Sequence, residues 1–231
     1  MIIEIRGNIF TTQCQTIVNT INCVGVMGAG IAFEFRLRYP DMFKKYKELC
    51  DNHIIEIGKL WIYKTENKWI LNFPTKYTWK EDSKIEYLEK GLKKFVESYQ
   101  EKGVTSIAFP MLGASMGGIP ESESLKVMRY YLNMCDIDVE IYSYDPKATD
   151  DVYEKFKVLF NSLTEKELSS ESGLRIYFIR RIKENIENPN VRNMSGLLRC
   201  RGIGEVSLEK CFRFVNDYKG EQTSFEFASE Q

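Results

Sequence analysis

VNTINCVGVMGAGIA, residues 18–32, begins as a short apolar run, passes through Asn19, Thr20 and Asn22, and opens into Gly25, Gly28 and Gly30 ahead of a long amphipathic stretch. That order reads as strand, glycine-rich turn, helix. Such a turn leaves backbone N–H groups unpaired at a helix N-terminus, where they and the helix dipole favour an anion. Glycines let a diphosphate approach the backbone closely. The turn is therefore a candidate nucleotide-phosphate cradle, although an ordinary strand-to-helix turn reads the same way on this stretch alone.

Two further segments extend the pattern. Strands are expected at Lys59–Lys64 and Lys68–Phe73, with Glu66-Asn67 turning between them and Pro74 ending the second. The polar, aromatic segment TKYTWKED (Thr75–Asp82) follows, then a Ser83/Glu86 capping-box signature opening a helix that ends near Gly103. Thr105–Phe109 reads as a buried strand, stopped by Pro110 and followed by a second glycine-rich loop, MLGASMGG, Met111–Gly118. A first strand over Met1–Arg6 and a last one over Asp138–Ser143 complete the set. Helices are expected over Gly28–Arg38, with Arg36 and Arg38 outward, over Asp41–Cys50, and from Pro120 to about Asn133. Strands alternating with helices imply an α/β domain with a mixed sheet, and loops that follow strands gather at one sheet edge, where ligands bind in such folds. Two facing amide nests suit a diphosphate better than a monophosphate. Lys76 adds a positive charge that can bind phosphate, act as a base, or attack a carbonyl-like carbon; a solvent-facing strand-end lysine is the plainer reading.

Composition narrows the classes. The 231 residues carry a net charge of −1, so any nucleic-acid site must be local. No run is long and apolar enough for a membrane span, and Met1-IIEI lacks the pattern of a signal peptide. Six scattered cysteines without a C-x-x-C pair point away from zinc and disulfides and towards a reducing cytoplasm. The only histidine, His53, sits in a polar loop, which argues against His-rich metal centres.

VNTINCVGVMGAGIAFEFRLRYP, then ILNFPTK, then IAFPMLGASMGG, in that order, resemble the macrodomain family, and within it the DNA ADP-ribosyl glycohydrolase branch, the antitoxins of DarT–DarG systems. The resemblance covers residues 1–146. It implies a three-layer α/β/α sandwich that binds ADP-ribose, and removal of ADP-ribose from thymidine bases of single-stranded DNA with no metal or cofactor. It further implies that Lys76 is catalytic, engaging the anomeric C1″ directly or orienting the attacking group. The implied ADP-ribose-binding set is Asn8, Ile9, Asn19, Asn22, Val26, Met27, Gly28, Gly30, Ile31, Pro74, Thr75, Leu112, Gly113, Ala114, Ser115, Met116, Gly117 and Tyr144. Asn22 would contact the distal ribose, and Tyr144 would line the adenine end or sit in the core. Many macrodomains place an acid after the first strand to read the adenine amino group; here the turn is Gly7-Asn8, leaving that task to the Asn8 carboxamide oxygen. An ADP-ribose 1″-phosphate phosphatase and a non-catalytic ADP-ribose reader share enough of the pattern to stand as alternatives.

After Pro146 the composition shifts. Residues 147–173 are expected to form a connecting helix (Ala148–Leu163) and a polar linker (Thr164–Gly173), residues 174–219 an all-α module, and residues 220–231 a polar tail. LLRCRGIGEVSLEKC resembles a helix-hairpin-helix, or the C-terminal domain of bacterial RNA polymerase alpha subunits. Such hairpins offer amides to DNA phosphates. Arg199, Arg201, Gly202 and Gly204 are its candidate DNA contacts, and Arg175–Lys219 holds ten Lys or Arg against five Asp or Glu. A protein-binding module fits the same stretch. DarT-type antitoxins usually carry a different, toxin-contacting C-terminal part, so a DarT-type toxin is a candidate partner only. The chain is expected to be a monomer with no membrane partner.

Overall fold

The computed structural model describes residues 1–148 and 150–218; the expected tail, residues 220–231, lies outside them. The chain divides into two compact units, the first Met1–Asp151 and the second starting at Val152.

The first unit is built on a six-stranded sheet of β1 (Ile2–Gly7), β2 (Thr16–Asn22), β3 (Trp61–Lys64), β4 (Trp69–Lys76), β5 (Ser106–Pro110) and β6 (Asp138–Tyr144). The strand order is β1-β6-β5-β2-β4-β3. All neighbours are parallel except β3, which runs antiparallel to β4. The inner strands bury both faces, as parallel strands covered by helices must. On one face Val18, Leu71, Phe73, Ile107 and Phe109 pack on α3 (Ile85–Lys102) and α4 (Glu121–Leu132) through Leu88, Leu92, Phe95, Met128 and Leu132. On the other, Ile17, Ile21, Ile70 and Ala108 meet α1 (Gly30–Arg38) and α2 (Pro40–Asp51) through Phe35, Met42, Tyr46 and Cys50. Three layers with a mixed sheet result, as the sequence implies.

Three local expectations fail for physical reasons. Strand β4 does not stop at Pro74 but continues to Lys76. β3 pairs only as far as Asn72, so beyond it β4 is an edge on that side, where a missing N–H is tolerated. The Ser83/Glu86 capping box is absent: α3 starts at Ile85 behind Lys84, which makes no side-chain cap, and the Ser83 amide instead donates to the Gly117 carbonyl at 2.8 Å. Arg38 is not outward. Its side chain is about one-tenth exposed, pairs with Glu34 at 2.8 Å, and lies over the Phe10 ring.

The second unit is helical: α5 (Asp151–Ser162), α6 (Glu165–Ser172), α7 (Ile176–Ile186), α8 (Met194–Leu197) and α9 (Glu205–Asp217). The segment expected to be a linker is α6. Thr164 and Glu167 form a full capping box, and Leu168 is buried. Its polar composition hides a helix because only Leu168 and Ser172 face inward.

Candidate active site

The sheet order sets the site. β2 lies between β4 and β5, so the segments after these three strands emerge side by side at the carboxyl edge. A register shift at Ile21/Asn22 brings Asn22 opposite Lys76, and the Cys23 amide then donates to the Tyr77 carbonyl at 2.9 Å. The first glycine loop and Lys76 are thus tied together by backbone.

The first loop is held from inside by Asn22. Its carboxamide oxygen accepts the amides of Val24 (3.0 Å) and Val26 (3.3 Å), and its nitrogen donates to the Val26 carbonyl at 2.6 Å. The buried Tyr46 hydroxyl of α2 lies 2.7 Å from the Asn22 carbonyl and 3.0 Å from Oδ1. Burial drives the Tyr46 phenol far above its usual range, so it stays a neutral donor. Asn22 therefore shapes the loop, with one of its two Nδ2 hydrogens used within it. Met27 is buried beneath the loop, while Val26, Gly28 and Gly30 are exposed and Ile31 is half-buried. Ala29 precedes α1 without a side-chain cap, and no acidic residue lies in the first turn. The first turn of α1 therefore carries no carboxylate to compete for its amides.

The second loop is wound tightly. Gly113 and Gly118 have φ of +65° and +77°, and Ser115 adopts +51°. Leu112 and Gly117 are buried, Ala114 is half-buried, and Ser115 and Met116 are exposed. Lys76 Nζ donates to the Met116 carbonyl at 2.5 Å. A Cβ on Gly30 would lie 3.8 Å from Met116 Cγ. Both loops and Lys76 therefore meet at Met116, with Pro74 and Thr75 buried just below.

The remaining expected residues lie within the sheet or at the β1–β6 end of its carboxyl edge. Asn19 is fully buried in the sheet, where its amide donates to Asn72 Oδ1 at 2.9 Å; it is an inter-strand tie rather than a cleft residue. Ile9 is buried in a short 3₁₀ turn. The Asn8 oxygen expected to read adenine accepts the Phe10 amide at 3.1 Å, and its Nδ2 donates to the buried carboxylate of Asp150 at 3.5 Å. Tyr144 is exposed rather than core and pairs in register with Gly7, beside Asn8.

Sequence reasoning missed Tyr46, which reads as an ordinary core position of an amphipathic helix. It also missed Ser83, whose buried hydroxyl lies 2.7 Å from where a Gly117 Cβ would stand. Asp150, 3.9 Å from Arg38, carried no signal because it follows the last strand in a stretch read as a connector.

In the second unit, Arg199, Arg201, Gly202 and Gly204 share one exposed turn between α8 and α9, with Gly202 at φ +87° and Ile203 buried as its anchor. The first helix of this hairpin is a single turn, and Glu205 occupies the first turn of α9.

Three layers, with two glycine-rich loops and a lysine gathered at the carboxyl edge of the sheet, form an α/β architecture of the kind that binds ligands at that edge. The Macro domain family model matches residues 18–128. The macrodomain of Thermus aquaticus DarG superposes with a TM-score of 0.59 at 37% identity, covering 62% of this chain and 98% of that one. The chain belongs to the macrodomain family. Thermosipho africanus DarTG in complex with ADP-ribose matches at 35% identity with a TM-score of 0.58, over 60% of this chain and 40% of that one. A DNA ADP-ribosyl glycohydrolase of Mycobacterium tuberculosis is 37% identical over 218 residues, 91% of this chain and 57% of that protein, so the likeness runs on into the second unit. The chain spans only about half the length of such curated relatives, down to 40% for the Thermus aquaticus enzyme.

Proposed function

We propose that the first unit is a glycohydrolase that removes ADP-ribose from thymidine bases of DNA. The observation that carries this reading is the meeting of Lys76 with both glycine loops at Met116. That arrangement places an ammonium group between two sets of amides suited to a diphosphate. The solved relative with ADP-ribose bound supports the ligand, and the relatives named as DNA ADP-ribosyl glycohydrolases support the substrate.

In the reaction, the bond from C1″ to the base nitrogen breaks and water oxygen bonds to C1″. One water proton passes to the departing base. C1″ gains oxocarbenium character as the base leaves. The loops fix the diphosphate and ribose, lowering the entropic cost of alignment. Lys76 engages C1″ or orients the attacking group. Asn22 and Tyr46 act through the loop they hold.

The second unit delivers DNA through Arg199 and Arg201, with the Gly202 turn against the phosphates. A Thermosipho africanus relative is named as a fusion of a DNA ADP-ribosyl transferase with a DNA ADP-ribosyl glycohydrolase, and this supports a DarT-type transferase as the opposing partner. Among the described residues no helix is long and apolar enough to cross a membrane. A monomeric protein working in the cytoplasm, beside the DNA it repairs, is part of the proposal.

The test is release of ADP-ribose from thymidine-ADP-ribosylated single-stranded DNA by wild type and Lys76→Ala. The expected slowing is at least about a hundredfold, which corresponds to about 2.7 kcal/mol of barrier. If neither protein releases ADP-ribose while both bind it, the reading is wrong. Loss of phosphate with ADP-ribose left intact would identify the phosphatase instead. For the second unit, Arg199→Ala with Arg201→Ala must weaken DNA binding and flatten its salt dependence.

A further inference from the structure

Directly after Lys76 the chain carries two large aromatic side chains that the core does not use. Tyr77 is 47% exposed and Trp79 is 57% exposed. Tyr77 is held against α3. The Tyr77 ring stands edge-to-face on Tyr87 of α3, with centroids 5.4 Å apart and planes at 85°. Lys80 Nζ lies 5.3 Å from the Trp79 ring centre, and Lys84 Nζ lies 5.6 Å from that of Tyr87. The segment from Lys76 to Lys84 holds three lysines against Glu81 and Asp82, and the Asp82 carboxylate lies against Gly118 of the second loop.

Exposed aromatic faces interleaved with ammonium groups are the means by which proteins hold single-stranded nucleic acid: every base has a π-face, and the lysines meet the backbone. Here two lie within three residues of the lysine that would act on C1″, where the target base must sit. We propose that Tyr77 and Trp79 form a stacking platform for the bases flanking the ADP-ribosylated nucleotide, with Lys80 and Lys84 meeting the phosphates between them. The platform lets the enzyme favour a modified base within a DNA strand over a free modified nucleoside. This inference rests on the DNA glycohydrolase reading.

The test compares two substrates, ADP-ribosylated thymidine as the free nucleoside and the same nucleotide inside a short single-stranded oligonucleotide. Trp79→Ala raises KM for the oligonucleotide about tenfold, the effect of losing one stacked base, and leaves kcat and KM for the nucleoside unchanged. Trp79→Phe keeps a stacking face and restores most of the difference. Equal effects on both substrates, or none on either, overturn the platform while leaving the glycohydrolase reading intact. If wild type processes neither substrate, the glycohydrolase reading fails, and binding of an unmodified thymidine oligonucleotide decides for the platform: Trp79→Ala must weaken it, and unchanged binding overturns the proposal. If DNA binding is unchanged and Trp79→Ala instead abolishes binding of a purified DNA ADP-ribosyl transferase, the patch is a protein-docking surface and the proposal is overturned.

Discussion

Gly91 on α3 faces Phe73 of β4 so closely that an added methyl has nowhere to go. A Cβ at position 91 would stand 2.2 Å from Phe73 Cζ, 2.5 Å from Cε1 and 2.9 Å from Cε2. Non-bonded carbons rest about 3.5–4.0 Å apart, so the ring would have to move by more than about 1 Å. It is completely buried and packed among the side chains of α3, α4 and the sheet. In an unencumbered helix, Gly→Ala is worth about 1 kcal/mol in favour of the helix. Overpacking a tight core costs about 1–3 kcal/mol, occasionally more, and this separation belongs at the upper end. The net effect of Gly91→Ala is a loss of about 2 kcal/mol, which lowers the Tm of the first unit by about 4–8 °C. Because Phe73 precedes Pro74, Thr75 and Lys76 on the same strand, ADP-ribose release falls as well. Thermal melting followed by circular dichroism measures the first effect. The cause is isolated by a double-mutant cycle with Phe73→Leu, which removes the offending ring atoms: the double variant must be less destabilised than the sum of the single ones. A raised Tm for Gly91→Ala, or strict additivity in the cycle, would refute the reasoning.

Tyr46→Phe removes the buried donor to Asn22, costs about 1–2 kcal/mol, and weakens ADP-ribose binding several-fold by calorimetry; unchanged affinity would mean that the loop does not depend on it. Gly113→Ala meets both a left-handed φ and a Cβ 2.7 Å from Ile119 Cδ1, so it destabilises by about 2–3 kcal/mol, read as a fall in melting temperature. In α6, the Glu165 carboxyl is held below its ordinary 4.5 by Arg180, and that of Glu167 by the Thr164 hydroxyl and amide. Their contribution is present above about pH 4.5 and is lost as pH falls through the lower folded values; the protection of α6 amides against hydrogen exchange, taken relative to the intrinsic rate at each pH, must fall on acidification, and Thr164→Ala must blunt that dependence. Burial pushes the Cys23 and Cys135 thiols up to about 11 from 9.0, so alkylation near pH 7.5 runs about a hundredfold slower than for an unperturbed thiol; a peptide-like rate at either would contradict their burial.

The layer architecture was legible because it rests on periodicity. Buried apolar strands, amphipathic helices and glycine loops each leave a local mark, and their alternation admits few topologies. What the sequence concealed depends on groups far apart in the chain. Asn19 and Asn22 are three residues apart in one strand, and both were expected to serve the ligand. Odd and even positions face opposite sides of a strand, so Asn19 turns inward to Asn72, while the bulge at Asn22 redirects its carboxamide into the loop. Pro74 looked like a strand terminator because the shortness of β3 is invisible locally. Ser83 looked like a helix cap because nothing near it in sequence announces that Gly117 would claim its amide. Polar α6 looked like a linker because a two-residue buried face carries almost no periodic signal.

The Asn22–Tyr46 and Lys76–Met116 pairs make the site depend on both helical layers. Tyr46 reaches the first loop from α2 on one face of the sheet. On the other face, Ser83, which precedes α3, and Ile119, ahead of α4, pack beneath the second loop against Gly113 and Gly117. Lys76 stands at the end of β4 and is held by a carbonyl of the second loop while its strand is paired to β2, which leads into the first. A ligand that draws on amides from both loops therefore reports on the packing of both layers at once. Core substitutions on either face, Tyr46→Phe or Gly91→Ala, must alter ADP-ribose affinity although neither side chain lies in the cleft. A surface change outside these contacts, such as one at the exposed Tyr130 of α4, must not. If affinity followed distance from Lys76 rather than membership of these contacts, the loops would be independent of the layers beneath them.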